Sequence, residues 1–221
     1  MFSTQNIDNN KFILAIHSTN DFFGFGYKDL KNDNIQDNFF IKKLDKNLST
    51  NLISTLAEFL KHKRIDSIAR ISISIGPANF NASRQIVVCA RAISQHLNCS
   101  LDKYSSFKIM AKRIAIKNEL LNKNKHFWII KKLKRRGSIA AKYKIENLNN
   151  KKLMDQNLKI KEVISPKLYE KFTKKGAQFE AEYDIKDELK ELLELSAKNH
   201  ENLISNHWTN VLPIYPIEPV N

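Results

Sequence analysis

Residues 71–82 read ISISIGPANFNA and run directly into SRQIVVCARAISQHL at 83–97. Ile71, Ile73 and Ile75 fall on one face of a strand and Ser72 and Ser74 on the other, the period of two expected of a half-covered strand. Gly76 opens backbone angles closed to other residues, and Pro77 fixes the turn. Asn79 or Asn81 then stands where it would cap a helix, whose free N–H groups and dipole favour an anion. A phosphate loop and a plain strand-turn-helix both fit this spacing. The segment lacks the Gly-Lys-Ser/Thr ending of a Walker loop, so no lysine is placed to reach a phosphate.

Working outward, residues 12–17 and 22–27 read as paired strands around a polar turn at Thr19, Asn20 and Asp21, with a third strand near 38–43. Residues 47–63 carry a helical pattern with Asn47 or Ser49 as cap. Further helices are predicted at 82–98, 105–117 and 186–199, and strands at 69–75, 126–132, 138–144 and 159–164. A short strand is also expected after Cys99. Strands come first and then alternate with helices, which argues for an α/β fold.

At 221 residues with 42% apolar content the chain can bury a sizeable core. No apolar run approaches the length of a membrane span, and the polar start MFSTQNIDNN lacks the blocks of a signal peptide, so a cytoplasmic protein without a membrane partner is expected. Cys89 and Cys99 form no metal pattern and read as buried free thiols. The net charge of +14 is regional: residues 121–175 hold 17 Lys/Arg against 4 Asp/Glu, whereas 176–221 hold 3 against 9. KNKHFWIIKKLKRR, with Phe127 and Trp128 interleaved, would meet RNA through Lys131, Lys132, Arg135 and Arg136. The alternative is compositional: Lys outnumbers Arg 30 to 7, and charge runs are commonly solvated faces.

Several stretches, in order, resemble the TsaB (YeaZ) family, the non-catalytic partner in bacterial threonylcarbamoyladenosine synthesis on tRNA. That family runs a strand into a G-x-G-P-G-S-F-T-G-x-R turn. Here Gly76, Pro77, Phe80 and Arg84 match, while Ala78, Asn79, Asn81 and Ala82 replace Gly, Ser, Thr and Gly. FILAIHSTNDFFGFGY (12–27) is similar to the opening hairpin, with His17, Ser18 and Thr19 standing for Asp, Thr and Ser. YSSFKIMA (104–111) is similar to the V-S-S/T-L-x-x-x-A helix start. RRGSIAAKY (135–143) is a weaker likeness to R-x-G-E-V-Y, with Leu133 in place of Asp. VLPIYPIEPV resembles the P-x-Y-L-R tail, keeping Pro213 and Tyr215 and replacing Leu and Arg by Pro216 and Ile217. The motifs are good over 12–120 and weak over 121–205.

The resemblance implies the half-domain fold of the acetate-kinase, sugar-kinase, Hsp70 and actin (ASKHA, ribonuclease H-like) superfamily. An N-terminal lobe would span 1–120. A smaller divergent lobe, trimmed or rebuilt, would span 121–221, with the 186–199 helix and the tail packing back. It implies a scaffold for the catalytic subunit TsaD, with the ATPase TsaE as third partner, tRNA engaged indirectly, ATP or ADP at the subunit interface only, and no DNA. Leu48, Leu52, Leu56, Phe59 and Leu60 form one stripe on the 47–63 helix, with Ile53 and Ala57 widening it. On the 82–98 helix, Ile86, Cys89, Ala90, Ile93 and Leu97 face the sheet, leaving Val87 and Val88 beside Arg84, Arg91 and Gln95. Exposed apolar residues rimmed by polar ones suggest a partner surface. The predicted interface is therefore Leu48, Leu52, Leu56, Arg84, Val87, Val88 and Arg91, and the same helices would serve a homodimer. Two other classes stand beside it, a small ASKHA-type kinase or glycoprotease-like hydrolase and a basic RNA-binding module. Against the kinase, His17 occupies the place of the acidic phosphate-loop residue. No His pair at i, i+4 marks a metal site, and His17 reads as a satisfied strand residue rather than a catalyst.

Overall fold

The structure, a computed structural model, describes residues 11–31, 38–45, 48–120, 125–146 and 158–215. Its first sheet grows from β1 (Phe12–Ser18), whose seven residues are all buried. β2 (Phe22–Asp29) and β3 (Phe39–Lys43) add antiparallel on one side, while β4 (Ile68–Ser74) and β5 (Ser100–Tyr104) add parallel on the other. The strand order is β3-β2-β1-β4-β5. Helices α1 (Leu48–Phe59) and α2 (Phe80–Leu97) lie on one face, where Leu52, Leu56 and Ile86 meet Leu14, Ile16, Ile71 and Ile73. The opposite face, with Ile13 and Ala15, is covered by Leu189, Leu192 and Leu193 of α4 (Ile185–Glu201).

This double cover corrects the half-covered reading of β4. Ser72 and Ser74 are fully buried, and Ser72 Oγ donates to the Leu192 carbonyl at 3.0 Å. Small hydroxyl residues let a helix sit close to the sheet, and the hydrogen bonds offset the desolvation of their oxygens. Glycine does the same on β2: a Cβ on Gly24 would stand 2.6 Å from the Phe40 carbonyl oxygen and 3.1 Å from a Leu189 methyl.

The second sheet has order β8-β7-β6-β9, built from β6 (His126–Leu133), β7 (Gly137–Glu146), β8 (Lys159–Tyr169) and β9 (Ala177–Glu180). Helix α3 (Ser106–Lys117) covers one face, with Phe107, Met110 and Ile114 against Phe127, Ile129, Ile139 and Tyr143. The core of α3 thus belongs to the second sheet although the helix precedes residue 121. In turn α4 lies far along the chain yet covers the first sheet, so the two lobes interleave in sequence. β9 has only four residues, too few for a period of two to stand out, and it escapes sequence reading.

A buried carboxylate ties these parts together. Asp102 on β5 accepts from Arg70 Nη1 at 2.8 and 2.9 Å, Ser196 Oγ at 2.5 Å, Asn199 Nδ2 at 3.0 Å and Asn206 Nδ2 at 2.6 Å. Arg70 also donates to the Ile204 carbonyl. Strands β4 and β5, α4 and the segment after it thus share one polar centre, and a buried charge with this many donors is tolerated where a lone one is not.

Candidate functional site

The carboxyl ends of parallel strands are where open α/β sheets place ligands. Here that edge carries His17 and Ser18 from β1, the Gly76–Pro77 turn after β4 and the start of α3. Gly76 has φ +95°, a conformation that favours glycine. Of the two expected caps, Asn79 takes the role: its side chain accepts from the Ala82 N–H at 3.1 Å. The turn is wired to other elements. Tyr183 donates its hydroxyl hydrogen to the Pro77 carbonyl at 2.6 Å, the Ile214 N–H donates to the Ile75 carbonyl at 2.8 Å, and the Phe80 ring sits 5.1 Å from that of Tyr215. Two stretches singled out separately in the sequence, 76–80 and 213–215, therefore meet in space.

His17 is fully buried between two partners. Its Nε2 lies 2.6 Å from Glu188 Oε2, and its Nδ1 lies 2.5 Å from Ser74 Oγ. The other oxygen of Glu188 accepts from Arg113 Nη2 at 3.2 Å and from the Asp184 N–H at 3.1 Å. Serine, histidine and carboxylate are connected as in an acyl-transfer relay. The connectivity is sealed, however: Ser74, His17 and Glu188 all have zero accessible surface, so an acyl carbon has no route to Ser74 Oγ. The three groups join β1, β4 and α4 across the sheet. Sequence reading found no partner for His17 because Glu188 lies 171 residues away.

The second candidate is a groove of about 470 Å³ between α1 and α2, lined by Leu52, Ile53, Asn81, Arg84, Gln85, Val88, Cys89 and Ala92. Ile53 is 68% exposed and Val88 67%. Gln85 Oε1 is buried at its side with no hydrogen-bond partner. Burial pushes the Cys89 thiol up to about 11. Several predicted interface residues prove to be elsewhere. Val87 is 1% exposed and belongs to the core. Leu48, Leu52 and Leu56 are core residues too, only Leu52 reaching the groove, because α2 and the sheet between them use the whole stripe. Arg91 turns to the tail, its guanidinium 5.5 Å from the Trp208 ring centre. Arg84 and Val88 stay on the groove, and Ile53 is its apolar partner. Asn47 lies outside the described residues, as do Pro216 and Ile217.

The basic stretch is not one surface. Lys131 is half-buried, donates to Asn20 Oδ1 at 2.8 Å and lies 5.2 Å from the Tyr183 ring centre; burial holds its pKa below the usual lysine value. Lys132, its neighbour on β6, points to the opposite face, and Arg135 and Arg136 are exposed in the β6–β7 turn. Phe127 and Trp128 are buried and cannot stack on bases. Among the described residues no helix is long and apolar enough to cross a membrane, and no cluster of three or more His, Cys, Asp and Glu is placed to hold a metal ion.

A five-stranded sheet of order 3-2-1-4-5, with helices on both faces and a second, four-stranded sheet, defines an α/β protein. Within that class the fold is that of YeaZ. The chain superposes on an uncharacterised protein with similarity to peptidase YeaZ from Pseudomonas aeruginosa with a TM-score of 0.66 at 11% identity, covering 94% of this chain and all of that one. Another structure, YeaZ from Pseudomonas aeruginosa, superposes with a TM-score of 0.60 at 11% identity over 93% and 99% of the two chains. No family model and no curated protein sequence matches the chain. The superposition covers 93–94% of the chain, so it extends beyond residues 12–120, where the motifs are good.

Proposed function

We infer that this chain is a non-catalytic, TsaB-like scaffold that docks the catalytic subunit TsaD and supports threonylcarbamoyl transfer to adenosine in tRNA. The observation that carries this is the groove between α1 and α2. Ile53 and Val88 stand exposed on facing helices, over Leu52 and Cys89 and beside Arg84 and the unpartnered Gln85 amide oxygen. An apolar centre with a polar rim is how a protein-binding surface differs from an ordinary helix face. The YeaZ fold supports the reading. So does the strand-end site, where the place of an acidic phosphate-loop residue is taken by a histidine already bound to Glu188 and Ser74. TsaE, nucleotide at the shared surface and a cytoplasmic setting belong to the same proposal.

The test is co-expression with tagged TsaD from the same cell, followed by measurement of threonylcarbamoyladenosine in tRNA after depletion of this chain. Co-purification, lost in Val88→Asp and Ile53→Asp while both variants stay folded, is the expected result. No complex, together with unchanged modification after depletion, refutes the proposal.

A further inference from the structure

The face of the second sheet that α3 leaves uncovered carries a pattern that the scaffold role does not use. Cross-strand partners share a face, so the register places four rows there: His126–Lys144–Lys161, Trp128–Lys142–Ile164, Ile130–Ala140–Lys167 and Lys132–Ser138–Tyr169. Trp128 and Ile130 form the centre and are only 3% and 8% exposed, because Tyr169 and Phe172 close over them. Lysines surround this plug. Lys142 Nζ lies 5.7 Å from the Trp128 ring centre and Lys167 Nζ 5.4 Å from that of Tyr169. Two carboxylates share the face at its ends, Glu146 opposite Lys159 and Glu180 on β9.

Composition alone does not account for this arrangement. On α3 the cations Lys112, Arg113 and Lys117 are matched by Glu194, Glu188 and Glu182. None of Lys132, Lys142, Lys144, Lys161 and Lys167 forms an ion pair with a described carboxylate. Lys144 and Lys161 sit directly opposite each other in the ladder, where like charges repel unless an anion lies between them. We propose that this face binds the phosphodiester backbone of a nucleic acid, by charge and without reading bases. Lysines about 7 Å apart along β7 and about 5 Å apart across the ladder can follow a strand that carries one charge every ~3.4 Å of its axis. A lipid surface fits less well, because the apolar centre is plugged and offers nothing to insert. The face is distinct from the α1–α2 groove, so this inference does not depend on TsaD docking.

The test uses the whole chain and a fluorescein-labelled tRNA transcript, read by anisotropy from 50 to 300 mM salt. Five to six lysine contacts at ~0.9 each predict that log affinity falls with log salt at a slope of about 4.5 to 5.5. Lys142→Glu, Lys144→Glu and Lys161→Glu combined should weaken binding at least tenfold and reduce the slope by about 2 to 3. The control Lys28→Glu, Lys61→Glu and Lys186→Glu, with the same charge change on the first lobe, should move affinity less than threefold. A parallel Lys→Gln set at 142, 144 and 161, checked by circular dichroism, separates lost contacts from lost fold and should show an intermediate loss. Absence of binding at 50 mM salt, equal losses in the control, or tighter binding to phosphatidylglycerol vesicles than to the tRNA would each overturn the proposal.

Discussion

Removing the Glu188 carboxylate, as Glu188→Ala, tests whether the Ser74–His17–Glu188 chain is a structural lock. The carboxylate accepts from His17 Nε2, Arg113 Nη2 and the Asp184 N–H. His17 and Glu188 have no exposed surface, so water cannot replace the lost acceptor for the imidazole. Breaking a buried pair of this kind costs about 3–5 kcal/mol. For a chain of this size ~1 kcal/mol corresponds to about 2–4 °C, so Tm should fall by roughly 6–20 °C. That is a large share of a typical total stability of about 5–15 kcal/mol. The informative companion is the triple variant Ser74→Ala, His17→Leu, Glu188→Met, which removes the linked polar groups together. It should be less destabilised than Glu188→Ala by at least about 1.5 kcal/mol, because no imidazole is left without its acceptor. Urea unfolding with circular dichroism, with calorimetry as a second probe, measures both. If Glu188→Ala lies within about 0.5 kcal/mol of the parent, or the triple variant is worse than the single one, the lock does not exist as described.

Asp102→Ala should destabilise by a similar ~3–5 kcal/mol and speed hydrogen exchange at the Leu101 N–H, which donates to the Asn206 carbonyl; unchanged exchange there would separate Asp102 from the tail. Gly76→Ala should cost about 1–2 kcal/mol through backbone strain alone, since a new Cβ meets nothing closer than 3.6 Å; a neutral urea midpoint would contradict that. In a Cys99→Ser background, alkylation of Cys89 by iodoacetamide should be slow at pH 8 and rise about tenfold per pH unit until near 11, because a thiol pushed up to about 11 stays neutral below it. A plateau near pH 9 would mean that the thiol is not desolvated. Ile53→Asp and Val88→Asp, at positions 68% and 67% exposed, should each shift stability by no more than about 0.5 kcal/mol, and a large loss in thermal melts would show that these side chains are packed.

The elements were legible wherever periodicity was long. The strands β1, β2 and β4 and helices α2, α3 and α4 fall within a few residues of their predicted bounds, since the alternation in 71–75 and the apolar spacing in 82–98 have one interpretation each. What escaped was long-range. Nothing local distinguishes Val87 from Val88, and only the direction of α2 over the sheet buries one and exposes the other. The basic run read as one patch because adjacent strand residues look contiguous in sequence while pointing to opposite faces, as Lys131 and Lys132 do. The serines of β4 read as solvent-facing because the helix that covers them arrives more than a hundred residues later.

That late arrival has a consequence for how the chain is made. His17 waits 171 residues for Glu188, and Ser72 waits 120 for the Leu192 carbonyl. At a synthesis rate of about 5–20 residues per second the interval for His17 is roughly ten to thirty seconds. Throughout it the face of β1 with Ile13 and Ala15 lacks the leucines of α4 that form most of its cover, so the first lobe is completed only after the second has been translated. Ribosome-bound fragments ending before residue 185 would therefore present an open apolar sheet to the cell's chaperones.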